Sequence, residues 1–230
     1  LQAEPDAPDI QFYIAEAQRH LGQYDQAIEN YDAVIATDEE FAPAYLGRAL
    51  ALQAQSPNEP IEDDLEQVIE TVPDYEPAYL ELAAIQVERG EPETGLETLE
   101  QAQELLADSP RYYAIRAKAY LALGEDELAL ENAEEANQRD ITALPVYLLL
   151  AQAYLENDQP EEAMENISIY GTHMEDDLGA IYWAMLGWAR YEDENYEDAL
   201  EALDKALELD EENALAHQYH GMAALAMDEP

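Results

Sequence analysis

The chain of 230 residues contains no cysteine. That absence excludes a disulfide framework, a thiolate metal site and a cysteine nucleophile, and it carries no information about compartment. Basic residues are almost as scarce: 9 Lys and Arg stand against 54 Asp and Glu, for a formal net charge of -45, and the only lysines are Lys118 and Lys205. Such a field repels phosphates and anionic lipid heads, which disfavours nucleic acid and direct membrane binding, and it attracts cations and basic proteins. Long apolar runs are also missing. The longest apolar segment, 141–155, is interrupted by Pro145 and Gln152 and reads as a buried helix rather than a membrane span of about 18 residues or more.

Motifs of catalysis are absent too. There is no G-x-S-x-G elbow, no phosphate-cradling glycine loop and no H-E-x-x-H pair. The acidic stretch 193–198 lacks the ligand order and mid-loop glycine of a calcium-binding loop. Close carboxylate pairs such as Glu39-Glu40 are inevitable at this acidity and read as solvated turns. His217 and His220, spaced i, i+3, could share a metal ion, but they fall at positions expected to pack inward, so packing histidines, or residues exposed by truncation, are the competing readings. An enzyme is the weakest functional class, and no cofactor is implied.

What is present is periodic apolar residue, 48% of the chain, which is enough to fold despite a charge that otherwise signals disorder. The acidic, lysine-poor surface fits either adaptation to a saline environment or an acidic scaffold with no special salt requirement. Small residues recur at Ala15, Ala49, Ala83, Ala117, Ala151, Gly187 and Gly221, with spacings of 34 except for one of 36. A second series, Ala27, Ile61, Gly95, Ala129, Ala163 and Ala199, keeps the same steps, as do the aromatics Tyr45, Tyr79, Tyr113, Tyr147 and Trp183. Three series in step over this many copies identify stacked helix pairs, because neither helix of a pair can bury its apolar stripe alone.

The best copy spans 180–213, with Trp183, Leu186, Gly187, Tyr196, Ala199, Ala206 and Leu209 in register. The pattern resembles the tetratricopeptide repeat, W-x2-L-G-x2-Y followed by A-x3-F and P. The resemblance implies an all-α, right-handed superhelical solenoid of stacked antiparallel helix pairs. The expected organisation is an acidic lead-in, 1–7, then six repeats, 8–41, 42–75, 76–109, 110–143, 144–179 and 180–213, and the first helix of a seventh, 214–230.

Within the repeats, first helices are expected near 9–21, 42–54, 76–89, 110–123, 144–157 and 178–191, and second helices near 24–37, 60–71, 92–106, 126–139, 160–170 and 196–209. Pro60, Pro92 and Pro160 suit first turns, where a missing N–H is harmless. The segment 167–171 is expected to end its helix early, so that 172–177 absorbs two extra residues as a tolerated insertion or a recognition loop.

In the resembled family, first helices line a concave surface and partners bind through fixed positions on it. Carried onto this sequence, those positions give Phe12, Leu46, Leu50, Leu80, Val87, Ala114, Leu121, Leu148, Leu155, Met185, Trp188 and Tyr191, with Met222 and Leu225 beyond. The lining is apolar with an acidic rim, suited to a basic or amphipathic peptide or protein segment, although the same residues would serve equally as packing between adjacent helices. Arg111 and Lys118, seven apart on one helix face, interrupt it. Family members that are co-chaperones hold a terminal carboxylate with several cationic and amide side chains. Here the neighbouring helices offer Glu81 and Gln152, which favours a local salt bridge over such a clamp.

The expected function is therefore a protein–protein interaction scaffold. The alternative is an assembly module that self-associates through 214–227, whose Leu215, Met222, Leu225 and Met227 make an apolar end where repeat arrays normally turn polar. The opening Leu1 and the terminal Asp228-Glu229-Pro230, which aligns with the turns before other second helices, suggest that the parent protein continues. The charge gives a first prediction. If self-repulsion limits stability, added salt should raise the melting temperature until screening saturates. A calorimetric melting point that does not move between low and high salt would remove that idea.

Overall fold

The computed structural model describes residues 8–56, 60–174 and 178–228, and every regular element among them is an α-helix. Two compact units divide the chain, 1–107 and 108–230. The expected lead-in, 1–7, lies outside the described residues.

In the first unit, α1 (Pro8–His20), α3 (Ala42–Gln55) and α5 (Glu76–Glu88) alternate with α2 (Tyr24–Thr37), α4 (Glu62–Thr71) and the pair α6 (Pro92–Gln101) and α7 (Gln103–Leu106). The second unit continues with α8 (Pro110–Leu123), α9 (Asp126–Arg139), α10 (Leu144–Glu156), α11 (Pro160–Met174), α12 (Ala180–Glu192), α13 (Tyr196–Leu209) and α14 (Ala214–Asp228). Within each unit consecutive helices pack on each other, and several first helices also touch a neighbouring first helix: α1 on α3, α8 on α10, α10 on α12, and α12 on α14.

The seam of each pair is set by the small residues. Ala15, Ala49, Ala83, Ala117 and Ala151 have no exposed surface, and neither do Ala27, Ala129, Ala163 and Ala199 on the second helices. At Gly187 the approach is closest: a Cβ there would stand 2.4 Å from Leu203 Cγ and 3.2 Å from the carbonyl oxygen of Ala199, both on α13. Gly47 does the same for α3, where a Cβ would lie 2.5 Å from the Tyr31 ring of α2. Tyr31 is fully buried and its hydroxyl donates to Glu16, which also takes a salt bridge from Arg19 at 2.9 Å.

Acidic residues crowd the first turns of α4 (Glu62, Asp63, Asp64), α11 (Glu161, Glu162) and α13 (Glu197, Asp198), where they complement the helix dipole. Some of the few cations pair along their own helix, as Arg19, Arg139 and Lys205 do, and others tie helices together. Arg48 on α3 bridges α2 and α4, with Nη1 2.5 Å from Asp32 and a bidentate grip on Asp64 at 2.7 and 2.9 Å. These hydrogen bonds to the two carboxylates, that to Asp64 foremost, raise its pKa further. Arg116 occupies the same place two repeats later, yet it meets neutral partners: Asn132 at 3.0 Å, and the Tyr112 and Tyr120 hydroxyls at 2.7 and 3.2 Å.

Three local expectations are corrected. Pro60 does not open α4; the helix starts at Glu62, because Ile61 occupies the N-cap with its N–H bonded to the Glu62 carboxylate at 2.9 Å. The second helix expected over 92–106 breaks at Ala102 into α6 and α7. The helix expected to end near Tyr170 runs on to Met174, with Thr172 Oγ1 bonded to the Ser168 carbonyl and the His173 ring to that of Ile169, both at 2.8 Å. Gly171 is not a stop there. It gives room to Tyr182 of α12, whose hydroxyl would stand 2.9 Å from a Cβ at that position. Of the insertion expected over 172–177, residues 175–177 lie outside the described residues. Among the described residues no helix is long and apolar enough to cross a membrane.

Candidate functional site

The first helices of the second unit enclose an apolar pocket of about 630 Å³. Its floor is Leu148 and Leu149 on α10 and Met185 on α12, and Pro145 and Ile181 come from the first turns of the same helices. Tyr170 of α11 and Tyr182 of α12, ring centroids 6.0 Å apart and stacked, close one wall, where Gly179 and Ala180 also contribute. Polar groups are few: Lys118 from α8, Gln152 from α10 and Asp210 just beyond α13. An apolar concavity with a small number of placed polar groups is the usual form of a binding site.

The local sequence explains this shape. Pro145 at the start of α10 lacks an N–H and costs nothing in a first turn, so an apolar ring can be presented at the helix entrance. Ile181 is 60% exposed at the edge of the pocket, where its side chain adjoins the apolar lining. Lys118 is exposed, and among the described residues it has no ion pair. That is notable in a chain where Arg19, Arg48, Arg89, Arg139 and Lys205 each hold a carboxylate.

Of the residues expected to line a groove, Lys118, Leu148 and Met185 come together here. Ala114 and Leu121 are half-buried against the α8–α10 core. Arg111 is exposed on α8. Leu155, Met185 and Trp188 belong to the core of the last helices, at 3%, 6% and 3% exposure. Trp188 stacks on Tyr219 of α14 at 4.8 Å between centroids and donates its indole N–H to Glu192 at 3.0 Å. Tyr191 also meets Tyr219, edge-on at 5.6 Å. The reason is α14 itself: by packing on α12 it covers the positions that a free first helix would show to a partner.

In the first unit Phe12 packs edge-on against Phe41 at 5.2 Å, Leu46 and Leu50 are half-buried, and Leu80 is buried. Val87 lies against Gly95 of α6, with its Cγ2 2.7 Å from where a Cβ would be. The pocket residues outside the expected lining are Pro145, Gln152, Ile181, Leu149, Tyr170, Gly179, Ala180, Tyr182 and Asp210. The first three stand at the second and ninth positions of their repeats, so the positional rule that selected Arg111 and Lys118 reaches them too.

The acidic field leaves its mark near Tyr219. Burial, then the carboxylates of Glu192 and Glu156, push its phenol up, and burial first, then Asp126 and Glu192, also raises the Glu156 carboxyl. His217 is exposed with Nε2 2.9 Å from the Glu211 carbonyl, and His220 meets Asp204 at 3.2 Å, so neither is a buried packing histidine. Among the described residues no three or more metal-ligating side chains converge.

Family profiles described as tetratricopeptide repeat match residues 9–38, 62–119, 144–167 and 180–213, together more than half of the chain. No curated protein matches the sequence. Among solved structures, the PilF protein of Pseudomonas aeruginosa is 12% identical with a TM-score of 0.76, over 94% of this chain and 97% of that one. The APC/C hetero-tetramer Cut9-Hcn1 gives 13% identity and a TM-score of 0.84, over 96% of this chain and 43% of that one. YrrB, described as having an unusual peptide-binding site, gives 17% identity and a TM-score of 0.54, over 94% and 92% of the two chains. At these identities the likeness is one of fold.

Proposed function

Because the chain belongs to the tetratricopeptide repeat family, whose members generally act as protein–protein interaction scaffolds, we propose that it is a non-catalytic scaffold holding a segment of another protein in the pocket of its second unit. The observation that carries this reading is the apolar pocket itself, with Ile181 standing exposed at its edge. A peptide with one large apolar side chain would cover Ile181, Leu148 and Leu149 and remove their surface from water. The fold neighbour YrrB is a precedent for peptide binding on this architecture. The net charge of -45 steers a basic or amphipathic segment toward the protein and disfavours polyanions. Within the same unit, Ala114 and Leu121, half-buried on α8, are the expected lining residues left to a longer partner.

The test is anisotropy of labelled amphipathic peptides carrying a single leucine or phenylalanine anchor. Ile181→Asp, at an exposed site, should weaken binding at least about tenfold with an unchanged melting curve. Trp188→Ala should do the reverse, lowering stability by about 3–5 kcal/mol because it empties a packed site. Binding that ignores Ile181→Asp would sink the pocket reading.

A second reading is assembly through α14, supported by the exposure of Leu225 (68%), Met227 (47%) and Met222 (37%) on that helix. Self-association there would make the mass in solution fall on dilution, and Leu225→Glu would abolish the larger species. A mass that is constant over a hundredfold dilution range would remove it.

A further inference from the structure

The pocket is asymmetric in charge, and that asymmetry narrows the class of partner. Lys118 approaches from α8 and Asp210 from the turn after α13, while α10 packs on both α8 and α12 and stands between them. The two charged groups therefore flank the apolar floor from opposite sides. Asp210 is reinforced by Glu211 and Glu212, both exposed in the same turn. Lys118 is one of two lysines in the chain; the other, Lys205, is occupied by Glu201 at 2.8 Å. Long-range attraction alone would select any basic segment, but a uniformly basic one places a cation beside Lys118.

We propose that the segment captured here is bipolar: an apolar anchor with an acidic residue on one side, meeting Lys118, and a basic residue on the other, meeting the 210–212 turn. The proposal rests on the pocket reading above and specifies its partner. Helices pack about 8–10 Å apart, so crossing from α8 to the far side of α12 covers about 20 Å. An extended chain rises about 3.3 Å per residue, which places the two charges about six residues apart with the anchor midway.

Three flank compositions around the same central phenylalanine, in capped peptides, test this: bipolar, a lysine at both flanks, and a glutamate at both. The bipolar peptide is made in both orders and the tighter binder is compared, so the result is independent of the direction in which the peptide lies. At low salt the bipolar peptide should bind about fivefold more tightly than the dibasic one, within the range of partly exposed ion pairs, and salt should shrink the gap. On Lys118→Glu, which alters an exposed side chain, the preference should invert in favour of the dibasic peptide. A dibasic peptide that binds the unaltered chain as well as or better than the bipolar one overturns the proposal while leaving the pocket reading intact. Failure of all these peptides to bind would overturn both.

Discussion

Every larger feature of this protein depends on how closely the two helices of a pair can approach. The approach is set where a small residue on the first helix meets the second helix, sixteen residues on. Ala15 is buried in one cluster with Tyr31, Ala49 with Leu65 and Ala151 with Ile167, each at 0–1% exposure, and a Cβ at the buried Gly187 would meet Leu203. A larger side chain at the first position would drive the helices apart, and the partly buried aromatics around them would lose contact. With the pairs locked, adjacent first helices fall side by side, and the pocket between α10 and α12 exists because they do.

Charge works against this packing and is contained by local placement. Helix N-termini absorb part of the acidic excess, and most cations are committed to neighbours, Arg48 to two carboxylates on two different helices. Arg116 is held by amide and hydroxyl oxygens at a place where Arg48 has an aspartate, so its charge is only weakly compensated. Against that background an uncommitted lysine beside an apolar pocket is the feature with the most to say about a partner. It sets the sign that one flank of a bound segment must carry.

The architecture was legible in the sequence because the small-residue and aromatic series report packing directly, and packing is what the period encodes. Helix ends were less legible. Gly171 reads as a stop, yet it is a helical residue whose missing side chain admits Tyr182, and only the neighbouring helix distinguishes the two uses. The site was legible in part. Lys118, Leu148 and Met185 follow from repeat position, but Trp188 occupies a lining position and is covered by Tyr219, a contact between repeats that position alone does not show. Tyr170 joins the pocket from a second helix, outside any rule about first helices.

Two glycines in equivalent places offer the most direct test of the packing seam. Gly187 faces Leu203 and Ala199, whereas nothing lies within 4 Å of a Cβ at Gly221. Alanine improves helix propensity at both, by up to about 1 kcal/mol. Denaturant melts of Gly187→Ala and Gly221→Ala should therefore move in opposite directions: Gly221→Ala stabilises, and Gly187→Ala loses about 1–3 kcal/mol to overpacking. Equal stabilisation by both substitutions would contradict the claim that close approach at this seam holds the fold together.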